Sequence, residues 1–183
     1  MSYPPHIQKV VDHLWPDKED KKVSDIYTIL DLAQDEIIYA KMVVSDIESV
    51  CLYEGEQAVE LEDVAPYLIK LYKDNPFTEW LFNTGWGKNW GIFVQSPASL
   101  EELACHFRCF LKVYDEEGTP LMFRYYDPRV LRVYLPTCTE GELEYVFGVV
   151  RRYFADGEKG DEMIEYSFKD GRLVKGFCDG EHL

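Results

Sequence analysis

The sequence predicts an α/β fold, in which a central mixed β-sheet is flanked by helices and a C-terminal β-hairpin forms an appendage. Three observations support this prediction. Short apolar runs typical of strands alternate along the chain with amphipathic stretches typical of helices. Two capping boxes, Ser99–Glu102 and Thr139–Glu142, mark helix starts. Near the end of the chain, Lys169-Asp170-Gly171 separates two apolar runs, as in a hairpin turn.

Length and composition indicate one globular domain. A chain of 183 residues can bury roughly 70% of its unfolded surface, so it needs no disulfide or metal to fold. Hydrophobic residues make up 46% of the chain, too many for a disordered protein. We expect a main α/β domain over residues 1–155, with a linker and hairpin over residues 156–183 packed on the same domain.

Charge and cysteine content restrict the partners and the compartment. The formal net charge of −15 disfavours nucleic acid and anionic membranes, because no basic stripe is present to meet phosphates. A basic protein partner remains possible, although an acidic surface can also serve only to keep a protein soluble. The five cysteines are irregularly spaced, and the sequence shows neither a signal peptide nor an apolar run of about 18 residues. We therefore expect a cytoplasmic protein with reduced thiols.

The first half of the chain is predicted to begin with a helix. Ile7, Val10, Val11 and Leu14 recur at helical spacing, which predicts a helix over residues 5–14. The elements expected next are a stop at Pro16, a charged linker (Asp17 to Lys22), a buried strand (Ile26 to Leu32), a helix (Asp35 to Val44), a strand (Ser49 to Tyr53), a short helix or irregular segment (Glu56 to Val64), and a strand or helix end (Tyr67 to Tyr72).

The second half is delimited by helix caps and glycines. Asn75-Pro76 combines an N-cap with proline at the first helical position, so a helix should follow and end near Gly85. The elements expected next are a strand (Trp90 to Gln95), a helix from Ser99 with an apolar stripe (Leu100, Leu103, Ala104, Phe107, Leu111), a turn at Gly118, a helix from Thr139 to about Gly148, a strand (Val149 to Phe154), and the hairpin strands (Met163 to Phe168 and Leu173 to Phe177).

The segment "FRYYDPRVL", residues 123–131, contains the sharpest predicted corner. Proline excludes the α region for the residue before it, and Asp127 is a favoured N-cap. A strand over Leu121 to Tyr126 should therefore break at Asp127 into a short helix or turn that reaches Tyr134. In so acidic a chain, Arg124 and Arg129 are expected to have carboxylate partners. Arg124, Asp127 and Arg129 could form an anion site, but we favour a structural network.

This segment also belongs to an ordered series of motifs. "GWGKNWGIFVQSPASLEELACHFRCFL" precedes it and "YLPTCTEGELEYVFG" follows it, and "LDLAQ", "SVCLYEG" and "VAPYLIKL" stand earlier in the chain. From about Tyr27 to about Tyr153, the series resembles the bacterial type VI secretion adaptor-chaperone family. The family motif would comprise Arg124, Tyr126, Asp127, Pro128 and Arg129.

The resemblance implies a function based on protein binding. It implies a cytoplasmic, non-enzymatic chaperone without a cofactor, which binds a toxic effector, through the effector's N-terminal region, and loads it onto the VgrG spike protein. The C-terminal hairpin lies outside the resembling part, and we expect it either to help choose the effector or merely to cap the main sheet. The residues alone leave two rivals open, an enzyme using Arg124, Asp127 and His106 and an immunity protein that neutralises a toxin.

Two cysteines on the helix that starts at Ser99 are candidates for partner binding. Cys105 and Cys109 lie four residues apart, opposite the apolar stripe of their helix, and could face a partner. A zinc site needs about four ligands, and no second pair stands at a suitable spacing, so we expect no metal. His106 would point about 100° away from Cys105, which disfavours a thiol nucleophile.

Aromatic residues around Gly85 are a second candidate for partner binding. Trp86 and Trp90 are expected in the core or at its rim, and they would form a binding patch if they were exposed beside Phe82.

Overall fold

The computed structural model describes residues 3–16, 24–158, 160 and 162–178. The predicted linker over Asp17 to Lys22 lies outside the described residues. The helices are α1 (Pro5–Leu14), α2 (Glu36–Ser45), α3 (Glu56–Glu60), α4 (Pro76–Gly85), α5 (Leu100–Arg108), α6 (Pro128–Tyr134) and α7 (Glu140–Phe147). The strands are β1 (Asp25–Asp31), β2 (Ser49–Cys51), β3 (Pro66–Leu71), β4 (Gly91–Ser96), β5 (Lys112–Tyr114), β6 (Pro120–Met122), β7 (Arg152–Asp156), β8 (Met163–Lys169) and β9 (Arg172–Cys178). Short 3₁₀ helices follow β1 and α6.

Seven strands form the main sheet, in the order β2-β3-β1-β4-β7-β8-β9. The predicted α/β class and central sheet are confirmed. However, every neighbouring pair among these described strands is antiparallel, whereas a mixed sheet was expected. The difference arises because alternating helices and strands do not fix which strands become neighbours. Here β1 lies between β3 and β4, both of which run opposite to it.

The sheet separates two hydrophobic cores. Successive side chains of β1 alternate between them, with Tyr27 and Ile29 in one and Ile26 and Leu30 in the other, as the two-residue period of a strand requires. Helices α1, α2 and α4 cover one face, and α5, α6 and α7 cover the other. Because both faces are covered, β1 is buried almost throughout, as its apolar sequence predicts.

The predicted helix starts are confirmed by their caps. Asn75 Oδ1 accepts a hydrogen bond from the Phe77 backbone N–H at 2.8 Å. Ser99 and Thr139 each form a complete capping box at the start of α5 and α7. These bonds satisfy backbone donors that the first helical turn leaves free. The helices that cover the sheet therefore begin where local sequence chemistry places them.

The predicted C-terminal hairpin is confirmed and is part of the main sheet. Asp170 and Gly171 turn the chain with φ angles of 51° and 75°, the two positive values that a tight two-residue hairpin turn needs. Strand β8 pairs with β7 over five residues on its other side. Met163 and Tyr166 of β8 are 0% exposed. The hairpin thus extends the sheet and contributes to both cores.

The strand expected over Leu121 to Tyr126 is wrong in its second half. Strand β6 ends at Met122 and pairs with β5 in a separate two-stranded sheet. The chain then turns, because the Asp127 backbone N–H donates to the Arg124 carbonyl at 3.0 Å. Tyr125 and Tyr126 are both buried, and this turn, rather than a strand, carries them into the protein.

Candidate functional site

The corner at Asp127 is closed by one carboxylate that accepts from several donors. Asp127 is the N-cap of α6, and its Oδ1 accepts from the Arg129 backbone N–H at 2.9 Å. The Arg129 guanidinium donates to the same carboxylate, with Nε 3.0 Å from Oδ1 and Nη2 2.6 Å from Oδ2. Pro128 occupies the first helical turn, where no backbone donor is needed. Asp127-Pro128 therefore starts a helix where the sequence predicts one.

These contacts keep Asp127 ionised. Burial by itself raises the pKa of Asp127, but the hydrogen bonds from Arg129 and the charges of Arg129 and Arg124 outweigh it and hold the pKa below its ordinary value. An ionised carboxylate accepts hydrogen bonds and donates none. Since its pKa lies far from neutrality, Asp127 is poorly suited to proton transfer at neutral pH.

Arg124 pairs with a different carboxylate, that of Asp31 at the end of β1. Its Nη2 forms an ion pair with Asp31 Oδ2, and the Asp31 side chain is only 3% exposed. Asp31 also accepts from the Ala33 backbone N–H at 3.2 Å and from Gln34 Nε2 at 2.8 Å. The prediction that both arginines have carboxylate partners is confirmed. Arg124 thereby connects the corner to the central strand.

Two tyrosines hold the same corner from inside. The Tyr125 hydroxyl donates to the Phe107 carbonyl at 3.0 Å, and the two rings stack with centroids 5.8 Å apart. Tyr126 is 2% exposed. Burial, followed by the nearby Tyr53 and Asp31, raises the pKa of Tyr126 above its ordinary value. The corner is therefore joined to α5 through Tyr125 and to β1 through Arg124, rather than arranged around an open pocket.

Trp90 lies in the core and Trp86 at its rim, as expected, and two of the three residues of the alternative binding patch are buried. Phe82 is 1% exposed and Trp90 is 4% exposed. Phe82 stacks on Phe93 with ring centroids 5.0 Å apart, and the half-buried Trp86 stacks on Phe82 at 5.9 Å. Both buried rings belong to the core that α4 closes. They contribute to the fold and are not accessible to a partner.

Cys105 and Cys109 lie on the outer side of α5 and are exposed. The Cys109 thiol contacts the Cys105 carbonyl at 3.3 Å, a contact within the helix itself. Within the part of the chain that the structure describes, no group of three or more histidine, cysteine, aspartate or glutamate side chains is placed to hold a metal. The role of Cys105 and Cys109 in partner binding stays a prediction.

The three residues of the enzymatic alternative have separate partners. His106 Nε2 lies 3.0 Å from the Val146 carbonyl on α7, and burial lowers the pKa of His106 below its ordinary value. Arg124 is paired with Asp31, and Asp127 with Arg129. No hydrogen bond or ion pair among the described residues joins His106 to Arg124 or Asp127. The geometry therefore gives no support to a shared catalytic centre.

The surface that sequence reasoning missed is the two-stranded sheet of β5 and β6 with its turn, residues 112–122, which we call the arm. All of these residues are exposed. They include four large apolar side chains, Val113 at 40%, Tyr114 at 68%, Leu121 at 48% and Met122 at 42% exposure. A local pattern could have predicted it, since two short apolar runs flank a polar turn with Gly118 at φ 80°.

A cleft of about 170 Å³ lies at the base of the arm. Its walls include Lys112 and Met122 from the arm and Tyr53, Glu54 and Arg108 from the body. Arg108 Nη2 donates to the Cys51 carbonyl at 2.8 Å, and its Nη1 lies 3.4 Å from Glu54 Oε1. The cleft is thus lined by both apolar and charged groups, next to exposed apolar side chains.

Comparison with known families matches residues 26–145 to the family described as "Domain of unknown function (DUF4123)". The chain belongs to this family. The match covers the corner, the arm and most of both cores. No match was found among curated proteins or among solved structures. Among the described residues, no helix has the length and apolar character needed to cross a membrane.

Proposed function

We propose that this protein is a cytoplasmic adaptor-chaperone of a type VI secretion system, which binds a toxic effector and loads it onto the VgrG spike. It acts by binding proteins and carries out no reaction. The proposal draws on the ordered motifs that resemble adaptor-chaperones, most of which fall inside residues 26–145 matched by the family. Cys51, Cys105, Cys109 and Cys138 carry free thiols, which agrees with a reducing compartment.

The arm is the observation that carries this proposal. A two-stranded sheet is marginally stable alone, and this one presents apolar side chains to solvent on both faces. Contiguous exposed apolar side chains on a soluble protein mark interaction surfaces. A chaperone needs such a surface to cover an apolar segment of its client. The buried network at the corner supplies a fixed body from which the arm projects.

Affinity purification from the bacterium that encodes the protein tests the proposal. The tagged chain should recover both a VgrG spike protein and an effector, and an equally acidic tagged protein should recover neither. Deleting the gene should abolish secretion of that effector while the spike is still secreted. Recovery of a toxin alone would indicate an immunity protein instead. A folded chain that recovers neither partner would refute the adaptor function.

A further inference from the structure

We infer that the arm and the cleft at its base form the docking surface for the client, and that this surface takes a short apolar segment bearing basic side chains. This inference deepens the proposed function: that the client is an effector rests on the proposed function, whereas the apolar and basic character of the segment follows from the arm and the cleft.

One face of the arm is continuous with the cleft. Lys112 pairs with Met122 and Tyr114 pairs with Pro120 across the two strands. Because cross-strand partners and alternate residues share a face, these four side chains lie on one side of the arm. Lys112 and Met122 also line the cleft. A segment seated in the cleft can therefore continue along the arm over Tyr114.

The side chains on this face suit an apolar client. Met122 is 42% exposed and Tyr114 is 68% exposed. Methionine adapts its shape to different apolar partners, and tyrosine supplies a large contact area at a small entropic cost. Leu111 is buried in the wall of the same cleft, so an apolar side chain entering it meets further apolar surface.

The charges around this face select a basic client. Asp115, Glu116 and Glu117 form the exposed turn at the tip of the arm, where Lys112 is the one basic residue within residues 112–122. In the cleft, Glu54 is paired with Arg108, so the excess of negative charge lies at the tip. A second copy of this chain, with a formal net charge of −15, would be repelled. A lysine or arginine of the client can contact both the carboxylates and the open face of the Tyr114 ring.

Fluorescence anisotropy with synthetic peptides tests the inference. The probe is a labelled peptide of about twelve residues in which leucine alternates with lysine, compared with leucine–glutamate and serine–lysine peptides of equal length. The leucine–lysine peptide should bind the full chain at least about tenfold more tightly than either comparison peptide, and its binding should weaken with added salt. Equal binding of the leucine–lysine and serine–lysine peptides would overturn the inference, because apolar contact would contribute nothing.

Matched variants locate the binding. Met122→Lys should weaken binding of the leucine–lysine peptide by about tenfold or more. The control Val44→Lys makes the same kind of change at an 83% exposed position on α2, across the sheet, and should leave binding unchanged. Similarly, Glu116→Lys should weaken binding severalfold at low salt, while Glu36→Lys on α2 should not. Equal losses in a variant and its control would show that the arm is not the docking surface.

Purification of the same variants from the native bacterium separates this inference from the proposed function. Loss of the effector with Met122→Lys, but not with Val44→Lys, supports the arm as the client site. If Met122→Lys still recovers the effector and the spike at the wild-type level, the arm inference is wrong and the adaptor function stands. If the wild-type chain recovers neither partner, the adaptor function fails, whatever the peptides show.

Discussion

Replacing Arg124 by alanine tests whether the corner is a structural network. The substitution leaves Asp31, whose side chain is 3% exposed, with only the hydrogen bonds from Ala33 and Gln34. Removing one partner of a buried ion pair costs about 3–5 kcal/mol, because the remaining charge is uncompensated. The Arg124 side chain is 45% exposed, so water replaces part of its interaction. We therefore expect the free energy of unfolding to fall by about 2–4 kcal/mol.

Arg129→Ala is the matched control at the same corner. The Arg129 side chain is 57% exposed, and Asp127 keeps its capping bond from the backbone N–H of residue 129 after the substitution. The Asp127 side chain is only 8% exposed, so losing this pair should cost more than a fully exposed pair does, about 1–2 kcal/mol. Arg124→Ala should therefore destabilise the protein more than Arg129→Ala, although both substitutions remove one arginine from an aspartate.

Urea unfolding followed by circular dichroism measures both variants, and a thermal scan gives an independent value. For a chain of this size, 1 kcal/mol corresponds to about 2–4 °C in Tm, so Arg124→Ala should lower Tm by about 4–16 °C. A double-mutant cycle with Asp31→Asn should show a coupling energy of about 1 kcal/mol or more. If Arg124→Ala keeps the wild-type Tm but loses partner binding, the corner is an interface and the structural interpretation is wrong.

Three further predictions concern thiols, pH and the C-terminal hairpin. Because Cys51, Cys105, Cys109 and Cys138 carry free thiols, dithiothreitol should leave Tm unchanged in a thermal scan, and a drop of many degrees would reveal a disulfide. Burial depresses the folded-state pKa of His106, so the unfolded state takes up its proton first and stability should fall as pH drops below about 6.5. His106→Gln should reduce that slope, by at most about 1.4 kcal/mol per pH unit, as urea unfolding from pH 5 to 7 would show. Deleting residues 158–183 removes Met163 and Tyr166, both 0% exposed, and should abolish the cooperative melting transition; a retained transition would contradict this expectation.

The parts of the fold that the sequence predicts well depend on neighbours in the chain. The caps at Asn75, Ser99, Asp127 and Thr139 each bond a backbone donor two or three residues away. The positive φ angles at the Asp170-Gly171 turn are likewise a local requirement. Such features need only the types of adjacent residues, so a single sequence contains the information that determines them.

The parts that the sequence did not predict depend on distant contacts. The pairing of Arg124 with Asp31 spans 93 positions, and nothing near Arg124 indicates which carboxylate it meets. The antiparallel direction of the main sheet depends on which strands become neighbours. Phe82 and Trp90 could have been exposed or buried, and only the position of α4 against the sheet decides that. The sequence thus predicts the change of chain direction and the helix start at Asp127, but not that Arg124 pairs with Asp31.

The two hairpins of this protein differ in burial, and this difference bears on how the proposed adaptor function would be divided along the chain. Strand β8 lies between β7 and β9, and its Met163 and Tyr166 are 0% exposed, so the C-terminal hairpin stabilises the body as a cap of the main sheet would. All six strand residues of the arm are exposed and add little to either core. Since these exposed apolar side chains contribute little to the stability of the fold, contact with a partner explains them better than a structural role does. This argues for placing recognition of the proposed client at the arm, and a role of the C-terminal hairpin in choosing the effector stays a prediction.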